Sequence, residues 1–148
     1  MGLTHRAIET EQSMSTSQNI ETARQMYEAF GHGDVQAILD RVTDDVDWST
    51  DAEIASAPWY GPRHGKDGVR SFFQAIGTAG PVSEFTPLAI AGNEDGDVMV
   101  FIRYAFTAAG SGRHVAMNMH HYFKFRDGKA CYVRSSEDTA QVAAAFIP

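Results

Sequence analysis

Hydrophobic and polar residues recur along this chain in two different periods, and the change falls near Pro81. Before it the spacing is helical. Ile20, Ala23, Tyr27 and Phe30 share one stripe, which predicts a helix over IETARQMYEAF with Ser17 or Asn19 as N-cap and Gly31 and Gly33 as its end. Asp34 is placed to cap a second, shorter helix with Val35, Ile38, Leu39 and Val42 on its apolar face. A third helix follows Gly65, carrying Val69, Phe72, Phe73 and Ile76, with Gly77 as its stop. Between the second and third helices, VDW at 46–48 reads as a short strand and Asp51 to Gly61 as an irregular lid.

Beyond Pro81 the period shortens to two. FTPLAIAG, DVMVFIRYAFTA, RHVAMNMHHYFKF and KACYVRSSE read as strands, separated by the turn signals EDG, GSG and RDG. Those intervals are too short for helical crossovers, so the strands pair as antiparallel neighbours. Helices followed by strands predict an α+β domain, with helices packed on one face of a bent sheet. TAQVAAAF near the end reads as a short closing helix. Residues 17–148 form one domain, and the polar first 16 residues read as a flexible tail in which Met14 is an alternative start.

Alternation also sorts the adjacent pair His120 and His121. Val115, Met117, Met119, His121, Phe123 and Phe125 fall on one face of their strand, and His114, Asn118, His120 and Lys124 on the other. The first set is apolar apart from its histidine. It should face the interior, leaving His120 on the outer face.

Composition narrows the partners. A net charge of −7 and a sequence pI near 5.2 supply no basic stripe, which excludes nucleic acid and anionic membrane as expected partners. No apolar run approaches the roughly 18 residues of a membrane span. The single Cys131, placed within a strand, reads as a small buried hydrophobe and suits a reducing cytoplasm. No metal or cofactor is expected: the histidine pair diverges on its strand, and GPRHGKD at 61–67 fails the phosphate-loop spacing and lacks the closing Ser or Thr.

Four phrases, YEAFGHGD at 27–34, DDVDW at 44–48, PWYGPRHGKDGVRSFF at 58–73 and FRDGK at 125–129, resemble the nuclear transport factor 2-like superfamily, and within it the SnoaL-like and ketosteroid-isomerase-like proteins. The resemblance implies a cone: a bent sheet wrapped around the first helix and enclosing an apolar pocket, often paired into a homodimer through the outer sheet face. It places His121 where SnoaL-like cyclases carry a pocket histidine and ketosteroid isomerases an acid. It also implies a carboxylate base at one of two positions, and these hold Ser135 and Thr50. A neutral hydroxyl cannot take up a proton unaided. Asp51, next to Thr50, would serve only if a bulge turned it inward. Glu137 shares the parity of Ser135 but lies near a strand end and is expected in solvent. Asp138, with Thr139, should cap the last helix.

The candidate catalytic residues are therefore His121, Ser135, Tyr60 and Asp51. Tyr27, Trp48, Trp59, Met117, Met119 and Phe123 are the candidate ligand contacts, with Trp59 and Tyr60 closing over the ligand from the lid; Arg63 and His64 fix the loop before the third helix. Two functions fit: a cofactor-independent isomerase, cyclase or hydratase acting on a small apolar or polycyclic carbonyl compound, and a non-catalytic module that binds a small hydrophobic molecule.

Overall fold

The computed structural model describes the backbone of residues 2–147 and the side chains of residues 15–53 and 55–147. Eleven elements follow in order, ten of them labelled here: α1 (Gly2–Gly31), α2 (Val35–Leu39), β1 (Val42–Thr50), a single 3-10 turn (Ile54–Ser56), β2 (Arg63–His64), α3 (Gly65–Ala79), β3 (Val82–Gly92), β4 (Val98–Thr107), β5 (His114–Arg126), β6 (Lys129–Ser136) and α4 (Thr139–Ala145). The expected α+β architecture is present. Six strands form one curled, unclosed sheet in the order β2-β1-β6-β5-β4-β3. All neighbours are antiparallel except β1 and β6.

The sheet bends where its register slips. Shifts occur between Val42 and Asp47 in β1, at Pro87 in β3 and at Lys124 in β5, and an extra residue in one strand turns it away from its partner. Pro87 is tolerated because β3 is an edge strand. The concave side receives α1 and α3. Val42, Val46, Val69, Val98, Ile102, Phe106, Val115 and Val142 are fully buried between the layers.

Several boundaries differ from the sequence expectation. α1 extends N-terminal to Ser17 and Asn19, so neither caps it; Asn19 Nδ2 instead donates to the Gly96 carbonyl at 2.9 Å and ties α1 to the β3–β4 turn. Of the expected tail over 1–16, the side chains up to Met14 lie outside the described residues. Val42 opens β1 rather than closing the α2 face, because its partner is Ala130 of β6. β1 is also longer than VDW alone. α3 runs past Gly77 to Ala79 and stops at Gly80, whose φ of 142° no side-chain-bearing residue adopts easily. A Cβ at Gly80 would sit 1.8 Å from the Thr107 carbonyl oxygen, so this glycine lets the chain pass close beneath β4 into β3. Asp138 caps α4 as expected, accepting from Gln141 N at 3.1 Å.

Candidate functional site

Strand parity carries the first site residue into place. Val115, Met117, Met119 and Phe123 are buried and His114, Asn118, His120 and Lys124 exposed, so the concave face of β5 is the one that holds His121. The register then sets its neighbours. His121 lies opposite Ser135 of β6, and Ser135 lies beside Thr50 of β1. Three polar side chains thus form a row across an otherwise apolar face.

α1 supplies the partner that completes the site. Tyr27 and His121 share a hydrogen bond of 2.7 Å between Oη and Nδ1, and their rings lie nearly parallel with centroids 5.8 Å apart. Burial holds the Tyr27 hydroxyl well above its ordinary pKa, so it stays protonated. Burial, and secondarily the neighbouring His120, pull His121 down to about 4, so its imidazole is neutral near pH 7. His121 is half-buried and borders the cavity described next. A neutral imidazole has one donor and one acceptor, and a phenol one donor. Whichever group donates in the shared bond, one donor of the pair remains uncommitted.

Both side chains border a cavity of about 70 Å³ between α1, α3 and the sheet. Its wall is mainly apolar: Met26, Phe30, Ile38, Trp48, Phe72, Phe73, Ile76, Phe85, Met119, Phe123 and Val133, with Tyr27, Trp59, Tyr104, His121, Ser135 and Glu137 as its polar or amphipathic members. Trp48 packs against Phe72 and Phe73 at 5.4 and 5.8 Å between centroids. Phe30, Phe72, Phe73, Ile76 and Phe85 of this wall are only half-buried.

The structure gathers Tyr27, Trp48, Trp59, Met119, His121, Phe123 and Ser135 at this cavity. Met117 is buried in the core but does not line it. Asp51 is exposed and borders a groove on the convex face with Tyr132 and Arg134, so no bulge turns it inward. Trp59 and Tyr60 are core residues 3% exposed, rather than an open lid. Trp59 is wedged between Phe106 and Phe146, each 5.6 Å away between ring centroids. Tyr60 lies behind the lining. Arg63 fixes the loop as expected, donating to Ser71 Oγ at 2.9 Å and the Pro58 carbonyl at 3.1 Å.

Glu137 corrects a further expectation. It is half-buried rather than free in solvent and borders the cavity, and Trp59 Nε1 donates to its Oε1 at 3.2 Å. Burial raises its pKa above the ordinary carboxylate value, with Asp138 adding to the rise while Tyr60 and Trp59 oppose it. Tyr60 Oη lies beside this carboxylate, whose charge helps to raise its own pKa, and it is buried without a hydrogen bond of standard geometry among the described residues.

The family model for the SnoaL-like domain matches residues 23–133, most of the helices and sheet just described. The chain belongs to the SnoaL-like domain family. Solved structures repeat the fold. An NTF2-like protein of unknown function from Burkholderia pseudomallei is 25% identical, with a TM-score of 0.78 over 88% of this chain and 98% of its own. TerC, co-crystallised with polyporic acid, is 23% identical, with a TM-score of 0.77 over 86% of this chain and 97% of its own. A candidate SnoaL-like polyketide cyclase from Jannaschia sp. CCS1 is 19% identical, with a TM-score of 0.75 over 89% of this chain and 94% of its own. No curated protein matches the chain.

Two further observations bear on this SnoaL-like domain. No helix among the described residues is long and apolar enough to cross a membrane. Nor do three or more His, Cys, Asp or Glu side chains gather, among the described residues, as a metal site would require.

Proposed function

We propose that this SnoaL-like protein is a cofactor-independent isomerase or related lyase-type enzyme acting on a small apolar carbonyl compound. The observation that carries the reading is the Tyr27–His121 pair, hydrogen-bonded at 2.7 Å inside an apolar cavity. Its uncommitted donor is suited to a carbonyl oxygen, and the bond strengthens as charge develops there in a surrounding of low dielectric. Structural similarity to TerC, which was crystallised with polyporic acid, and to a candidate polyketide cyclase supports a small-molecule role. The cavity argues for a modest ligand. Its 70 Å³ is well below the about 150 Å³ that admits a benzene ring, so its half-buried aromatic wall must yield even for a single ring. In the same reading two copies pair through the convex face, and neither nucleic acid nor membrane is a partner.

A binding module is the second reading, and the hydroxyls at Ser135 and Thr50, where a carboxylate base would be expected, favour it. Incubation with cyclohex-3-en-1-one in D₂O separates the two. The enzyme reading predicts deuterium at the carbon next to the carbonyl, and conversion to the conjugated ketone, faster than in buffer. Saturable binding with no exchange would leave only the module. A β,γ-unsaturated ketosteroid should be turned over little, because the cavity is too small and Ser135 and Thr50 offer no base. Turnover of that steroid at the rate of a dedicated isomerase would contradict both arguments.

A further inference from the structure

We propose that Glu137 is the proton-transferring residue of this cavity, acting on a small carbonyl compound whose oxygen meets the Tyr27–His121 pair. The inference rests on the enzyme reading. It supplies the base that Ser135 and Thr50 cannot, from a position one pleat further along the same chain.

The placement follows from the sheet. His121 is paired with Ser135, and Glu137, two residues on and just beyond β6, borders the same cavity as Ser135. Two residues of extended chain span at most roughly 7 Å, which bounds the separation of Glu137 from Ser135. A carbonyl group and its α- or γ-carbon, with one close contact at each end, fill a span of this size. Glu137 also belongs to the cavity wall, so its carboxylate and the Tyr27–His121 pair face one space. Trp59 Nε1 fixes one oxygen at 3.2 Å. The buried Tyr60 hydroxyl, unpartnered beside it, is a donor available to the charged carboxylate. A buried hydroxyl without a partner is costly, and a proton-transfer site is one setting in which such a group persists.

The chemistry balances without a co-reactant. A C–H bond next to the carbonyl breaks, its proton passes to Glu137, and its electron pair moves onto the carbonyl oxygen as an enolate. The uncommitted donor of the Tyr27–His121 pair stabilises that oxygen. Once Glu137 has traded that proton for a solvent deuteron, return to the same carbon gives exchange. Returning it to the γ-carbon of a β,γ-unsaturated ketone gives the conjugated isomer. The titratable or polar groups facing the carboxylate are Trp59, Tyr60, Tyr104 and Asp138, with His121 elsewhere on the cavity wall. The rise in pKa caused by burial makes it a stronger base once ionised.

The test uses the full chain with cyclohex-3-en-1-one in D₂O, reading exchange by NMR and binding by titration. Glu137→Gln keeps the size and the acceptor for Trp59 but removes the base. Exchange should fall on the order of 10² to 10⁴-fold, with probe affinity and Tm little changed. In the unmodified protein the rate should rise with pH through a limb lying above the ordinary carboxylate pKa of about 4.3; this readout holds even where the Gln variant fails to fold. Exchange that survives in Glu137→Gln but is lost in His121→Phe would overturn the role of Glu137 while leaving the enzyme reading intact. No exchange by the unmodified protein, with the probe demonstrably bound, would overturn both.

Discussion

Replacing His121 with phenylalanine should slow exchange on a small ketone on the order of 10² to 10³-fold, while changing the affinity for that ketone less than tenfold. The phenyl ring preserves the apolar wall formed by Met119 and Phe123, so the cavity still excludes water and still binds. It removes both ring nitrogens, including the Nδ1 that shares the 2.7 Å bond with Tyr27 Oη. Tyr27→Phe should cost nearly as much, and the double variant little more than either single change, because the two side chains act as one unit. Additive losses would show that they act separately. The same substitution carries a stability signature. With the folded His121 near 4 and the unfolded value near 6.5, the unfolded chain takes up a proton between those pH values and the native chain does not. Stability therefore falls as pH drops from about 6.5 to about 4, by up to about 3 kcal/mol. Glu137, raised by burial, contributes in the opposite sense, its stabilisation being lost as pH rises through its folded value. Comparing denaturant unfolding of the two proteins at pH 7.5 and 4.5 isolates the histidine: the acid loss should be flatter in His121→Phe. An unchanged pH slope would mean that His121 is not buried as neutral imidazole.

Phe106→Ala should destabilise the fold by about 3–5 kcal/mol. Phe106 is 1% exposed and packs against Trp59, Tyr104 and Phe146, with centroids 5.6, 5.4 and 6.2 Å away. Its loss leaves a cavity beneath the indole that holds Glu137. A urea midpoint lowered with an unchanged slope is the expected signature. A cost under about 1 kcal/mol would mean that this aromatic cluster can collapse into the gap, and that Trp59 is less firmly held than its packing indicates.

How far the sequence could be read depended on which regularity each element obeyed. β5 alternates because one of its faces is buried, so the inward position of His121 was legible from parity alone. α3 announced itself through Val69, Phe72, Phe73 and Ile76, yet its end did not: Gly77 costs helix propensity but meets nothing nearby, whereas Gly80 is required by the close passage of Thr107. β1 hid behind Thr43, Asp44 and Asp45, and its parallel partner β6 lies far along the chain. Tyr27 could be assigned to a helix stripe, but its bond to a residue 94 positions away belongs to the closed fold. Glu137 is the instructive miss. Its parity with Val133 and Ser135 already pointed inward; what a strand-end rule could not supply was the cover provided by Trp59.

The central claim, that the Tyr27–His121 pair receives a carbonyl oxygen, is tested most directly by carbon-13 NMR of cyclohex-3-en-1-one labelled at its carbonyl carbon. Hydrogen bonding to the oxygen polarises the carbonyl and moves this resonance downfield. A saturable downfield shift that is lost in the Tyr27→Phe, His121→Phe double variant is the predicted result. A resonance that does not move on saturation, or that moves equally in the double variant, would contradict it.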